Sequence, residues 1–200
     1  MKASPMPTAR SNAWRSKSRT LGTIRQLSKD LIDRIAAGEV IERPASVVKE
    51  LIENAIDARA SSINIAIEEA GIGLISIVDN GCGMDETDLA LAVKRHATSK
   101  LKRPEDLFAI ETLGFRGEAL PSIAAVSRMT IASRTTDIPH GCFLGLEGGE
   151  VIDRGKRAMP EGTILEIRDL FFNTPARKKF LKTTATEQKN ILDIVTRYAL

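Results

Sequence analysis

The chain is short of the residues that staple or metallate small domains. In 200 residues it has two cysteines, Cys82 and Cys142, and two histidines, His96 and His140. Neither a CxxC pair nor metal-ligand spacing occurs among them, which argues against a disulfide framework and against a zinc site. A reducing compartment is the expectation. No apolar run approaches the ~20 residues of a bilayer-spanning helix, so no membrane partner is expected. A Walker A loop is missing too. Five residues separate Gly149 from Gly155-Lys156 where that motif has four, and Arg157 stands where Ser or Thr would hold Mg²⁺.

Acidic residues are absent from the first 29 positions, which hold seven basic ones. The formal net charge of +3 therefore divides unevenly, the remaining residues carrying 22 basic against 26 acidic groups. The first stretch, MKASPMPTARSNAWRSKSRT, is rich in Ser and Pro and poor in apolar residues, the composition of a disordered segment. It fits an organellar transit peptide, a nucleic-acid-binding arm or an overlong start. At 42% hydrophobic, the chain as a whole can bury a core, and its length suggests one domain.

Periodicity then predicts the elements. SKDLIDRIAAG (28–38) reads as a short helix with Ser28 as N-cap and Gly38 as its stop. From Pro44, which suits a first helical position, Val47, Val48, Leu51, Ile52, Ala55 and Ile56 recur at helical spacing on one apolar face. Ile63, Ile65 and Ile67 alternate with Asn64 and Ala66, and LISIVD follows the Gly71-Ile-Gly73 turn, giving an antiparallel hairpin. DETDLALAVKRH (85–96) is helical, and ATSKLKRPEDLFAIETLGFR mixes charge, Pro and Gly as a lid segment does. A helix from near Glu118 leads into four strand-like runs, MTIASRT, CFLGLEG, EVIDRGK and GTILEIRDL, and a last helix runs from about Thr186 to the final residue. That helix reaches the end without a stop signal, as in a chain cut short. Hairpins with interspersed helices point to an α+β, two-layer sandwich: a mixed, largely antiparallel sheet with helices on one face.

Within the Pro44 helix, Glu50, Asn54 and Asp57 share a polar row beside the buried stripe. An ordinary solvated row alternates Glu with Lys, and here only Lys49 with Glu53 fits that pattern. Glu50 has Asn54 at i+4. A carboxylate and an amide oxygen one turn apart make a half-site for Mg²⁺, which keeps several waters and takes few protein ligands; the competing reading is a solvated acidic flank.

LISIVD runs into DNGCGM (79–84). Asn-Gly is a hairpin signal, but a helix follows instead of a partner strand. Gly81 and Gly83 expose backbone to a flat ligand, and Asp79, an acceptor when ionised, suits a donor such as an exocyclic amino group. GFRGEAL (114–120) sets two glycines and Arg116 before a helix, where orphan N–H groups make an anion site, or a plain Gly-rich helix entry.

In this order, with Gly162-Thr163 late in the chain, the motifs resemble the GHKL ATPase superfamily (Bergerat ATP-binding fold). Within it they are similar to the MutL mismatch-repair family. IAAGEVIERPASVVKELIENAIDA (35–58), DNGCGM, RHATSK (95–100), GFRGEAL and DLFFNTPARKKFLK (169–182) carry the likeness, which runs from about residue 23 to 200. The resemblance implies a basic extension over 1–22 and an ATPase domain over 23–200, truncated before a second, transducer domain whose lysine would join the phosphates. Weak hydrolysis by this stretch alone is the corollary.

The same resemblance implies the site. Glu50 would be the general base for the water attacking the γ-phosphate, and Asn54 would hold Mg²⁺ bridging the phosphates of ATP. Asp79 would accept from the adenine amino group, with Gly81, Gly83 and Met84 lining the base and Thr163 supporting it. Thr98 and Lys100, with Gly114, Phe115, Arg116, Gly117, Glu118, Ala119 and Leu120, would cradle the triphosphate. Asp57 is expected to be structural. The implied partners are a MutS-type mismatch-recognition protein, DNA, a downstream nuclease and helicase, and a second copy on ATP binding, in the cytoplasm. Two other classes compete: a histidine-kinase catalytic domain, which shares ExxxN and DxGxG but lacks GFRGEAL, and a non-hydrolysing DNA-binding module. The run from Arg154 to Lys182, eight basic against three acidic residues, is open to DNA contact or a solvated face.

Overall fold

The computed structural model describes residues 25, 28, 32, 37, 38, 40–97 and 117–199. The N-terminal basic stretch, most of the 28–38 helix and residues 98–116 lie outside them, and with these Thr98, Lys100, Gly114, Phe115 and Arg116. In chain order the elements are α1 (Pro44–Asp57), β1 (Ile63–Glu68), a 3-10 turn (Glu69–Gly71), β2 (Leu74–Asp79), α2 (Glu86–Ala92) and α3 (Ala119–Ala125). Four strands follow, β3 (Arg128–Arg134), β4 (Gly141–Glu147), β5 (Glu150–Arg157) and β6 (Gly162–Arg168), then α4 (Pro175–Phe180) and α5 (Thr184–Ala199). Among the described residues no helix is long and apolar enough to cross a membrane.

The strands form one six-stranded sheet in the order β1-β2-β6-β3-β4-β5. Every adjacent pair is antiparallel, so the sheet expected as mixed and largely antiparallel is antiparallel throughout. Because side chains alternate faces along a strand, register decides what meets the helices. On that face one rung runs Ile67, Ile75, Ile167, Met129, Leu146, and the next Ile65, Ile77, Leu165, Ile131, Leu144. One step further the rung reads Ile63, Asp79, Thr163, Ser133, Cys142. The apolar face thus ends in three adjacent polar side chains, all of them buried.

Helices α1 and α3 cover the apolar rungs. Val47, Val48, Leu51, Ile52 and Ala55 of α1 are buried, each larger one contributing about 1.5–3 kcal/mol. Ile56, expected on that face, is 38% exposed. Glu53, expected in a solvated pair with Lys49, is instead buried, because α5 lies against α1 and its Tyr198 hydroxyl donates to Glu53 Oε1. Helix α5 starts two residues before the expected Thr186, with Thr183 Oγ1 accepting from the Thr186 amide at 3.4 Å.

Two other boundaries differ. Helix α2, capped by Asp85 through the Asp88 amide at 2.8 Å, ends at Ala92 rather than 96. There the chain turns, and His96, at φ 62°, brings its Nδ1 to 3.2 Å from Glu118 Oε1. Strand β6 stops at Arg168, since Asp169 (φ 51°) and Phe171 (φ 67°) turn the chain inward and bury Leu170 and Phe171 completely.

Gly38 is not a helix stop. Residues 37, 38 and 40 are helical and the Ile41 amide donates to Ala37 O at 2.8 Å. The space beside it is taken instead by the Arg177 guanidinium, which a Cβ there would displace. Arg177, reaching back from α4, donates through Nη1 to Ile41 O at 2.8 Å and lies over the Phe171 ring, 5.9 Å from its centroid. This clasp ties the segment entering α1 to the segment leaving β6. Arg177→Ala is expected to lower unfolding free energy by about 1.5–3 kcal/mol, the range for a charge-assisted hydrogen bond, as measured by urea denaturation.

Candidate functional site

The site is assembled by the turn that follows β2. Asn80 ties this turn to the α1–β1 connection: its Oδ1 accepts from the Ser61 amide at 2.9 Å and the Ser62 amide at 2.8 Å, and its Nδ2 donates to Ser61 Oγ at 2.9 Å. The Cys82 amide donates to Ala58 O at 3.0 Å, one residue past the end of α1. Gly81 sits between them, where a Cβ would lie 2.7 Å from Ala58 Cβ and 2.8 Å from Ala58 O. The C-terminus of α1 is therefore docked on the DNGCGM bend. At ~1.5 Å of rise per residue, Asn54 stands roughly 6 Å and Glu50 roughly 12 Å back along the helix from that docking point.

Asp79 closes β2 at the polar rung. Its Oδ1 accepts the Gly81 amide at 2.8 Å, and the Thr163 amide donates to the same carboxylate. Burial raises its pKa above the ordinary aspartate value, and those two N–H groups only partly counter the effect. Beside it Ser133, fully buried, links three segments: its Oγ donates to Gly162 O at 3.0 Å, lies 3.0 Å from Thr163 Oγ1 and accepts the Met84 amide at 2.8 Å. Gly83 (φ 67°) and Gly162 (φ 119°) are required by close approach, since a Cβ would strike Arg134 O in the first case and Asp79 O in the second.

Asp79, Gly81, Gly83, Met84 and Thr163 are thereby gathered around one bend, with Asn54 and Glu50 on the helix docked to it. Glu50 is partly exposed, and Lys49 Nζ lies 3.5 Å from its Oε1. Gly117, Glu118, Ala119 and Leu120 form the entry to α3, which packs on α1, and no side chain caps that helix. His96 joins this entry to the chain leading out of α2. Asp57 stays on the α1 flank, half-buried. No cluster of three or more His, Cys, Asp or Glu side chains suited to a metal occurs among the described residues.

A family model described as Histidine kinase-, DNA gyrase B-, and HSP90-like ATPase matches residues 41–153, more than half of the chain. The chain belongs to that ATPase family. A DNA mismatch repair protein MutL from Koribacter versatilis is 56% identical over 180 residues, 90% of this chain and 28% of that protein. The chain thus spans under a third of the curated relatives it matches. The Aquifex aeolicus MutL ATPase domain complexed with ADP superposes with TM-score 0.61 at 36% identity, covering 80% of this chain and 56% of that one. The N-terminal domain of a DNA repair protein gives TM-score 0.70 at 31% identity, covering 84% and 48%. The chain is accordingly an ATPase domain similar to that of MutL, with the GHKL fold.

Three contributors to this domain's site escaped the motif reading. Ser133 was legible in principle, as the one polar residue at an inward position of the Met129, Ile131, Ser133 alternation. Asn80 lies inside the DNGCGM motif, but the motif does not show that its side chain holds the Ser61 and Ser62 amides. Ala58, which ends the 35–58 motif, acts through its backbone carbonyl, and its side-chain type does not signal that role.

The burial of Asp79 has a consequence for stability. With a native pKa above its unfolded value, the carboxylate imposes a penalty that is complete above the native pKa and vanishes below the unfolded one. The melting-temperature advantage of Asp79→Asn over the unmodified protein is expected to be largest near pH ~7 and to shrink toward pH ~4, as a pH series of thermal melts would record. A gap that widened on acidification would contradict the desolvation account.

Proposed function

We propose that this chain is the ATP-binding, slowly hydrolysing switch domain of a MutL-type mismatch-repair protein, occupying residues 23–200. One observation carries the reading: the helix bearing Glu50 and Asn54 is docked end-on to the bend bearing Asp79. A purine over the bend would direct its phosphates back along α1 toward those two side chains.

In this reading the buried Asp79 accepts the amino group of adenine through the carboxylate whose Oδ1 the Gly81 amide holds. A base read by a fixed, water-excluded acceptor is discriminated strongly from an isostere presenting the opposite polarity. Gly81 and Gly83 shape the bend by letting it close against Ala58 and Arg134, Met84 lines the ring, and Thr163, fixed by Ser133, supports it from the polar rung. Asn54 would hold Mg²⁺, which when bound would supply charge neutralisation to the phosphoryl group. Glu50 orients the attacking water and takes its proton. Thr98, Lys100, Gly114, Phe115 and Arg116 are assigned to the triphosphate by their motifs, together with Gly117–Leu120, whose N–H groups enter α3. Phosphoryl transfer depends mainly on positioning and electrostatics, so turnover is set by how well these segments close.

The larger role follows from the likeness to MutL. ATP binding would pair two such domains and hydrolysis would release them, relaying recognition by a MutS-type protein to a nuclease and a helicase on DNA. Exposed Arg154, Lys156 and Arg157 on β5 are candidates for the DNA contact.

Two measurements test the site. Glu50→Ala is expected to lower hydrolysis roughly 10²- to 10⁴-fold, the contribution of a positioned general base, while a nonhydrolysable ATP analogue with Mg²⁺ still raises the melting temperature. Simultaneous loss of binding and hydrolysis would count against its role. Asp79→Ala is expected to erase the preference for ATP over GTP in a competition assay, and retained preference would move the base elsewhere.

A further inference from the structure

Lys49 and Glu50 are sequence neighbours, and adjacent residues on a helix project about 100° apart, so they ordinarily do not meet. Here they do. Lys49 Nζ lies 2.9 Å from the Glu53 carboxylate and 3.5 Å from Glu50 Oε1, so one ammonium bridges a buried acid and a partly exposed one. Glu53 is 6% exposed, and its Oε1 also accepts the Tyr198 hydroxyl from α5. A charge-assisted pair on the buried side pins the ammonium, and the pinned ammonium then limits where Glu50 can swing. Burial works to lower the Lys49 pKa, but the Glu53 hydrogen bond and the charges of Glu50 and Glu53 outweigh it and favour the charged form. Burial and the Glu53 bond both raise the Tyr198 pKa, keeping the phenol a donor.

We propose that Lys49 is a positioning residue for Glu50, held in place by Glu53 and, through it, by Tyr198 of α5. The chain of contacts makes the orientation of the base depend on the seating of α5 against α1. This inference rests on Glu50 acting as the base, and it adds that the base is aimed from outside the nucleotide pocket. The bland alternative is that Lys49, Glu53 and Tyr198 merely fasten two helices together.

Steady-state ATP hydrolysis by the full-length protein separates these, read as kcat and KM beside analogue binding and melting temperature. Lys49→Met is expected to lower kcat roughly 10- to 100-fold, as sub-ångström misplacement of a reacting group does, with KM and analogue binding unchanged. Lys49→Arg should restore most of the rate. Tyr198→Phe, which deletes one hydroxyl, should lower kcat in the same direction, and adding it to Lys49→Met should bring little further loss, since both act on one contact chain. An unchanged kcat in Lys49→Met, beside an inactive Glu50→Gln, would overturn the positioning role while leaving the site reading intact. Full activity in Glu50→Gln would remove the reading itself. Parallel loss of kcat, analogue binding and melting temperature in Lys49→Met, with no rescue by Arg, would establish the fastening role alone and overturn the proposal.

Discussion

The contact between the last turn of α1 and the bend after β2 governs the geometry of everything around it. Two backbone groups, the Cys82 amide and the Ala58 carbonyl, meet at 3.0 Å, and they do so only because Gly81 presents no side chain to Ala58. A helix is stiff along its axis, so fixing one end fixes the residues one and two turns away. The position of Asn54 and Glu50 relative to Asp79 is thus a matter of backbone docking and helix pitch, with no long side chain needed to span the distance. Asn80 secures the same junction from the other side by holding two amides of the following connection.

Against that junction the sheet presents a boundary. Two rungs of branched aliphatics build the core, and the third substitutes Asp79, Thr163 and Ser133 at equivalent positions. Burying three polar side chains at the rim of an apolar layer is costly unless each finds partners, and here Asp79 takes the amides of Gly81 and Thr163, Ser133 takes that of Met84, and Thr163 Oγ1 pairs with Ser133 Oγ. The arrangement holds the buried Asp79 carboxylate through hydrogen bonds from within the fold. Preorganisation of that kind is what lets a small number of polar groups read a ligand without reorganising.

Much of this could be read from residue pattern because the pattern is local. The apolar stripe of α1, the β1–β2 hairpin and the four later strands each follow from a period of 3.6 or 2 within one segment. What sequence could not reach depends on distant segments meeting. Glu53 looks like half of a surface pair with Lys49 until Tyr198, 145 residues away, covers it. Gly38 looks like a helix stop until Arg177 fills the space beside it. Glu50, Asn54 and Asp79 stand out since ExxxN and DxGxG recur across the GHKL superfamily, whereas Ser133 contributes through tertiary hydrogen bonds that no short motif encodes.

The β4–β5 hairpin ends the sheet with all eight residues of β5 exposed, including Val151 at 49% and Ile152 at 67%. Among the described residues the outer edge of β5 pairs with no strand, and such an edge with apolar side chains is a template for adding another strand. Glu150, Asp153, Arg154, Lys156 and Arg157 stand along the same strand, and charged side chains at an edge disfavour such pairing. That protection is electrostatic, hence screened within about 10 Å at 0.1 M salt and weaker as ionic strength rises. Any strand addition at this border is therefore sensitive to counter-ions.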